Sequence, residues 1–172
     1  MGLRPGRCYT EIKNKPYTRV SQRRPRRSYV KGVPASKIHQ FETGSLKNDY
    51  NIKFYLVSGR DMQIRSNALE SARQIITKYL TTKLGENSFF VKVLVYPHHV
   101  LRHNPMATGA GADRYSQGMR RSFGKPLSQA ARVSVNQRII QIAAPEESEE
   151  IVKTALDRAA KKLPGSCKVV AG

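Results

Sequence analysis

The residues best suited to chemistry are the arginines of a glycine-rich stretch, GAGADRYSQGMRRSFGKP, at positions 109–126. An arginine side chain offers a planar fork of donors that matches phosphate oxygens, and glycine lets a backbone come close to such a group. The stretch has no apolar period of helix or strand, so we expect it to project as a loop. Long loops inside a compact domain are usually functional or disordered. This stretch alone therefore indicates contact with RNA or DNA.

Three histidines, His98, His99 and His103, allow two other kinds of chemistry. A nuclease could use two histidines as acid and base, which would give His98 or His103 that role. The three could also bind zinc, although the site would need a fourth ligand and neither cysteine is near in sequence. The only nearby carboxylate is Asp113, so contact with phosphate or bases, or simple exposure, is the favoured interpretation. We predict no catalytic residue, no cofactor and no metal site.

The charge of the chain indicates a polyanionic partner. The sequence has 31 Lys+Arg and 12 Asp+Glu, a formal net charge of +19. Positions 1–40 hold 11 basic residues and one acid, and positions 98–145 hold seven and one, whereas positions 146–172 are balanced. A surface of this kind repels itself without counter-charge, so nucleic acid is the expected partner. The alternatives are a merely soluble basic domain and contact with anionic lipid.

Positions 1–40 are interpreted as an extended basic arm, because prolines favour extended backbone and an RRPRR cluster stands at 23–27. Such an arm becomes ordered against a partner that neutralises it. Tyr9, Tyr17 and Tyr29 could stack on bases, or could pin the arm to the domain, which is the favoured reading. The arm residues expected to contact RNA are Arg4, Arg7, Arg19, Arg23, Arg24, Arg26, Arg27 and Lys31.

Positions 41–172 predict one α+β domain with a mixed, mainly antiparallel sheet and two helices on one face. Alternating or β-branched runs predict strands at 50–58, 89–96, 130–135, 138–143 and 167–171. Apolar stripes predict helices at 67–84 and 145–163. Asn67 with Glu70 resembles a capping pair, and Asn136-Gln137 would close a short hairpin. The four glutamates that begin the second helix complement its dipole, and contact with a basic neighbouring protein is the alternative.

Two cysteines at opposite ends of the chain, Cys8 and Cys167, indicate neither a disulfide framework nor a zinc ribbon. No apolar run approaches the length of a membrane span, and positions 1–20 lack the apolar core of a secretory signal. The length suits one domain. These observations predict a cytoplasmic protein that does not enter a membrane.

Four segments carry a resemblance to a known family: MGLRPGRCYTEIKNKPYTR at 1–19, GVPASKI at 32–38, YPHHVLRHN at 96–104, and the glycine-rich stretch followed by ARV at 131–133. In this order they resemble the large-subunit ribosomal protein ten-e family of archaea and eukaryotes. The bacterial counterpart of that family is large-subunit protein sixteen. The form looks archaeal, because nothing extends beyond Gly172.

The resemblance implies a hammerhead-type α+β sandwich that binds large-subunit rRNA at the base of the central protuberance. It implies an internal loop at about 102–125 that points toward the peptidyl-transferase centre and the tRNA acceptor end. Partners would be rRNA, tRNA in the assembled ribosome, and neighbouring ribosomal proteins. The implied RNA-binding residues are Arg102, His103, Gly109, Gly111, Arg114, Gln117, Gly118, Arg120, Arg121, Lys125 and Arg132.

Two departures from the family pattern affect individual contacts. Pro105 stands where a lysine is expected, which puts one phosphate contact in doubt, and the dense RRPRR cluster indicates extra rRNA contacts. The leading hypothesis is a structural protein of the large ribosomal subunit that does no covalent chemistry. The alternatives are a free-standing RNA-processing enzyme using His98 or His103 and a chromatin-like DNA-binding protein.

Overall fold

The computed structural model describes residues 3–12, 17–18, 23–25, 27, 29–46 and 50–172. Across these residues the chain forms an α+β fold of eight strands and two α-helices. The strands are β1 (Glu42–Gly44), β2 (Ile52–Ser58), β3 (Met62–Arg65), β4 (Phe90–Val93), β5 (His99–His103), β6 (Lys125–Val133), β7 (Arg138–Ala144) and β8 (Cys167–Ala171). The helices are α1 (Ser66–Leu84) and α2 (Glu149–Ala160). The predicted fold class is confirmed.

The strands divide between two antiparallel sheets. One has five strands in the order β1-β4-β7-β2-β8, and the other has three in the order β3-β6-β5. Every pairing within them is antiparallel. The sequence indicated a single sheet and missed β1, β3, β5 and the first part of β6. These segments are short or polar, so their pairing depends on neighbours distant in sequence.

The predicted hairpin at Asn136-Gln137 is wrong. A turn does exist there: Asn136 has a φ of 59°, and the backbone N–H of Gln137 donates to the carbonyl of Ser134 at 3.2 Å. However, β6 pairs with β3 and β5, whereas β7 pairs with β2 and β4. The turn therefore passes the chain from one sheet to the other, and β7 inserts into the centre of the larger sheet.

The main core lies between the helices and the inward faces of both sheets. Leu69, Ile76 and Leu80 lie on one face of α1 and are fully buried, as their helical spacing predicted. They share one apolar cluster with Leu156 of α2 and Ile140 of β7. Burying one leucine or isoleucine side chain contributes about 1.5–3 kcal/mol. This shared core holds the smaller sheet, which carries the loop, against the rest of the domain.

The predicted capping pair Asn67 and Glu70 is wrong. The helix begins one residue earlier, and its N-cap residue Arg65 makes no side-chain capping hydrogen bond. Glu70 instead accepts from Arg73, with Nε to Oε2 at 2.9 Å and Nη2 to Oε1 at 2.6 Å. The Arg73 guanidinium lowers the pKa of Glu70, so this carboxylate is committed to an ion pair on the helix. Gly85 ends the helix with a φ of 86°, as predicted.

A second, smaller core lies on the other face of the three-stranded sheet. Ala131 and Val133 of β6 point into the main core, so the alternate residue Ala130 points to the opposite side. There Ala130 packs with Leu101 and with Tyr9, which lies at the end of a short 3-10 helix at Gly6–Tyr9. The pinning reading of Tyr9 is thus confirmed.

The arm also bonds to both edges of the three-stranded sheet. The backbone N–H of Gln63 on β3 donates to the Thr10 carbonyl at 2.7 Å. On β5, the backbone N–H of Val100 donates to the Tyr17 carbonyl at 3.3 Å. These bonds cover backbone groups that an edge strand would otherwise expose. Tyr29 is exposed, whereas Ile38 is buried in the main core. The division into an arm at 1–40 and a domain at 41–172 stays a prediction.

Candidate nucleic-acid interface

The glycine-rich stretch lies in the connection between β5 and β6, which are neighbours in the sheet. The two strands pair down to Arg102 opposite Pro126 and His103 opposite Lys125, so residues 104–124 leave and re-enter the sheet at one point. The register shifts beside Arg102, where the proline lacks an N–H for the ladder. Arg102, His103 and Lys125, which were expected in the loop, are therefore strand residues at its foot. Their pairing fixes the direction in which the loop leaves the sheet.

The backbone of the loop contains left-handed residues that favour glycine. Gly109, Gly111 and Gly118 have φ values of 115°, 75° and 61°. Apart from each glycine and its chain neighbours, no described residue has a heavy atom within 4 Å of where a Cβ would stand on any of them. Glycine is therefore needed there for the backbone conformation and not for space within this chain. Arg121 also has a positive φ of 56°.

The loop exposes cations beside flat or flexible apolar side chains. Arg114, Gln117, Arg120 and Arg121 are all exposed. Tyr115 is 88% exposed. Met119 and Phe123 are also exposed, although such side chains are usually buried. Cations that meet phosphates and rings that stack on bases are the combination that binds single-stranded nucleic acid. The aromatic part of this surface was not predicted from the sequence.

Arg102 joins the arm to the foot of the loop. The carbon at the centre of its guanidinium lies 4.5 Å from the ring centroid of Tyr17 and 4.2 Å from that of Phe123. The two rings meet edge to face at 6.0 Å. The Tyr9 hydroxyl donates to the Arg102 carbonyl at 3.3 Å. We call Tyr17, Arg102 and Phe123 the aromatic clamp. Its geometry makes Arg102 a positioning residue, a role that its sequence position did not reveal.

His99 holds the arm as a neutral hydrogen-bond acceptor. The backbone N–H of Tyr17 donates to its Nδ1 at 2.8 Å. The pKa of His99 is lowered from its ordinary value of 6.5, first by burial and then by the positive charges of Arg132 and Arg102. A neutral ring that accepts at Nδ1 carries its proton on Nε2. This arrangement makes His99 a structural contact.

The other histidines are engaged differently. The His98 ring lies 4.5 Å from the Tyr96 ring at a tilt of 44°. His103 is half-buried, and its Nδ1 has no hydrogen-bond partner within the described part of the chain. Across the described residues, no three histidine, cysteine, aspartate or glutamate side chains come together in a group that could hold a metal ion.

A cleft of about 1330 Å³ lies between the arm and the foot of the loop. It is larger than the roughly 300–1,000 Å³ of ordinary small-molecule sites. Arg4, Arg7, Arg102 and His103 all line it, so the fold brings together four of the predicted RNA-binding residues. Among the described residues that line it, the three arginines outnumber the one carboxylate, that of Glu11. The cleft is therefore a basic surface continuous with the base of the loop.

The remaining predicted residues lie outside this cleft. Lys125 is exposed at the start of β6, and Arg132 is half-buried further along that strand, opposite Gln63. The arm residues Arg23, Arg24, Arg27 and Lys31 are all exposed. Arg19 and Arg26 lie outside the residues that the structure describes. Apart from Arg132 on β6, the described members thus form three groups, in the cleft, on the loop and its foot, and on the arm.

Within the described residues, neither α1 nor α2 combines the length and the apolar character that crossing a bilayer requires.

A basic α+β protein with a cationic arm and a projecting cationic loop belongs to the class of nucleic-acid-binding proteins by its surface. Residues 12–170 match the family described as ribosomal protein L16p/L10e. The chain belongs to this family, and the resemblance read from the sequence is confirmed.

Curated relatives cover nearly the whole chain. The large ribosomal subunit protein uL16 of Staphylothermus marinus is 46% identical over 170 residues, which is 99% of this chain and 94% of that protein. The uL16 proteins of Thermofilum pendens and Methanococcus aeolicus are each 45% identical, over 99% and 100% of this chain and 97% and 95% of their own lengths. The chain is accordingly a protein of the large ribosomal subunit and not an enzyme.

Proposed function

We propose that this protein binds large-subunit rRNA near the base of the central protuberance and that its loop helps to position tRNA near the peptidyl-transferase centre. The observation that carries the proposal is the loop at 104–124, which exposes Arg114, Arg120 and Tyr115 while its foot is fixed in a sheet. Family membership supports the rRNA partner and neighbouring ribosomal proteins. The assembled particle would work in the cytoplasm.

The arm and the cleft supply most of the affinity in this proposal. Lysine and arginine side chains release counterions when they neutralise phosphates, and this gain does not depend on base sequence. Arg4 and Arg7 lie on the arm at one side of the cleft, and Arg102 lies on β5 at the other. An RNA backbone in the cleft would therefore contact two segments far apart in sequence. Binding would also lock the arm in place.

The loop supplies positioning in this proposal. Its foot is held by strand pairing and by the aromatic clamp, so the direction in which it leaves the domain is set before RNA binds. Its outer part buries little apolar surface of its own, which leaves its side chains available for a partner. Arginine forks would contact phosphate, and Tyr115 would stack on an unpaired base.

The double substitution Arg114→Ala/Arg120→Ala tests the role of the loop. Both side chains are exposed, so the fold should be unchanged while the large subunit assembles late or translates poorly. In sucrose gradients of cells in which the variant replaces the normal protein, the polysome peak should shrink and free large subunits should accumulate. Lys53→Ala/Lys168→Ala removes the same charge from exposed positions on the five-stranded sheet and should leave the gradient unchanged.

Normal polysomes and normal tRNA binding in the loop variant would contradict this role for the loop. Competition between large-subunit rRNA and duplex DNA for the purified protein separates the RNA partner from the DNA alternative. A preference for rRNA at the same salt concentration supports the proposal, and a preference for DNA counts against it. Salt concentration has to be matched, because any polyanion would bind more weakly as salt rises.

A further inference from the structure

A second basic surface lies on the helices, away from the arm and loop. The last turns of α1 and the end of α2 form a groove of about 540 Å³. We call it the helix groove; its cations are Lys78, Lys83, Arg158, Lys161 and Lys162. Since Tyr9 packs on the face of the three-stranded sheet opposite the main core, the start of the arm at Gly6–Tyr9 and the helices lie on different sides of that sheet.

The helix groove concentrates positive charge. Within the described part of the chain, no carboxylate lines it. Two other surface lysines of this chain form ion pairs. The Nζ atom of Lys92 lies 2.6 Å from Oε1 of Glu42, and that of Lys153 lies 2.5 Å from Oε1 of Glu149. Five neighbouring cations repel one another in the free protein, and a bound polyanion relieves that repulsion. The groove therefore favours a ligand with several negative charges.

Helix dipoles explain only part of this cluster. Cations near the C-terminal end of a helix are stabilised by its dipole, within the last turn. Lys83 and Arg158 occupy the last turns of α1 and α2 in this way. Lys161 is the C-cap residue of α2 and is favoured in the same way, whereas Lys78 lies more than a turn before the end of α1. A dipole at each helix end does not require all five side chains to line one groove.

The guanidinium of Arg158 is restrained by stacking on the ring of Tyr79. The central carbon of its guanidinium lies 4.1 Å from the ring centroid of Tyr79, a half-buried residue of the same groove. An arginine stacked on a ring keeps its N–H donors at the edge of its plane, where they can meet phosphate oxygens. Such restraint lowers the entropy cost of binding an anion.

We propose that the helix groove binds the phosphate backbone of a second RNA segment. This inference rests on the proposed function, because a protein of the large subunit is surrounded by rRNA. RNA is the favoured occupant, because several adjacent cations with little hydrogen-bonding variety fit a repeating phosphate charge. With the arm and loop on one side and the groove on another, the protein bridges two segments of rRNA that lie on different sides of it.

The test uses the full-length protein and deproteinised archaeal large-subunit rRNA. Two variants each remove two of the five cations: Lys161→Gln/Lys162→Gln just after α2, and Lys78→Gln/Lys83→Gln on α1. The matched control is Lys53→Gln/Lys168→Gln, which removes equal charge from exposed positions on the five-stranded sheet. Thermal unfolding of each variant checks that the fold is retained. Having a variant at each helix keeps the test valid if one pair proves to destabilise its helix.

Affinity is measured over a series of salt concentrations. Each groove variant should lower the slope of log K against log salt by about two, because each substituted lysine leaves one phosphate without its cation. The control should change the slope little. Hydroxyl-radical footprinting should show two separate protected patches with the normal protein, and one of them should disappear in the groove variants alone.

The outcomes separate this inference from the proposed function. Suppose that Arg114→Ala/Arg120→Ala removes the rRNA patch that the loop protects, while the groove variants keep the salt slope and both patches as Lys53→Gln/Lys168→Gln does. The groove site is then overturned and the proposed function stands. If the normal protein prefers duplex DNA to rRNA, the proposed function fails, and the groove site fails with it. If the groove variants keep both patches but no longer bind a polyglutamate peptide that the normal protein binds, the occupant is an acidic protein and the inference is overturned.

Discussion

At the scale of single residues, His99 links the arm to the sheet through a proton-sensitive bond. Its Nδ1 accepts from the Tyr17 backbone, and burial with Arg132 and Arg102 nearby lowers its pKa from 6.5. Protonation of Nδ1 would turn this acceptor into a donor that faces the backbone N–H of Tyr17, and the hydrogen bond would be lost. The folded state therefore prefers the neutral ring, and the unfolded chain binds the proton more readily.

This difference predicts a pH-dependent stability. Between the lowered pKa and 6.5 the unfolded chain binds more protons, so the free energy of unfolding should fall as pH decreases through 6.5. Above 6.5 this contribution is fully present. Urea unfolding at several pH values between about 5 and 8 would measure it. The variant His99→Gln should reduce the slope, whereas the exposed His98→Gln should keep it. An unchanged slope in His99→Gln would contradict this account.

At the scale of elements, the aromatic clamp is the joint between arm, strand and loop. Arg102 belongs to β5, Phe123 to the loop, and Tyr17 to the arm, and each contributes a ring or a cation to one stack. Cation–π contacts contribute about 0.5–1 kcal/mol when exposed and about 2 kcal/mol when desolvated. The two contacts on this half-buried guanidinium hold the arm and the end of the loop against β5.

Removing the clamp should loosen the arm and loop while the domain stays folded. Arg102→Ala should lower the free energy of unfolding by about 1–2 kcal/mol. Limited proteolysis should cut the arm and the loop faster than in the normal protein. Arg138→Ala is the matched control, because Arg138 lies 4.2 Å from the Tyr55 ring on the five-stranded sheet. Equal protection of the arm in both variants would show that the clamp is not the joint.

At the scale of the whole molecule, stability and RNA binding reside in different parts. The core shared by both sheets and both helices is apolar, whereas the proposed RNA-binding side chains lie on the arm, the loop foot, the loop and the helix groove. Because the proposed RNA-binding side chains are not part of this main core, a change in the main core should alter stability without altering affinity.

Leu69→Ala tests this separation. The side chain is fully buried in the core that α1 shares with the two sheets, so its truncation should cost about 2–5 kcal/mol in the free energy of unfolding. At a temperature where the variant is still folded, its affinity for rRNA should stay within about twofold of normal, since additive effects are expected for distant sites. Chemical denaturation and filter binding measure the two quantities. A parallel fall in affinity would show that the core and the surfaces are coupled.

The sequence by itself determined the features that local patterns encode. The apolar stripe of Leu69, Ile76 and Leu80 predicted α1, and the glycines and arginines of 109–126 predicted a projecting loop. The charge distribution predicted a polyanionic partner, and the ordered family segments agree with the match to the L16p/L10e family. Each of these signals lies within a short window or in the composition, so no knowledge of distant contacts was needed.

Only the tertiary structure decided which distant segments meet. It placed β6 and β7 in different sheets despite a plausible hairpin turn, because each strand found partners elsewhere. It brought Tyr17 and Phe123 onto Arg102, and it brought Lys78 and Lys162 into one groove. These contacts join residues far apart in the chain. A local sequence pattern does not reveal them, because which distant segments meet depends on how the whole core packs.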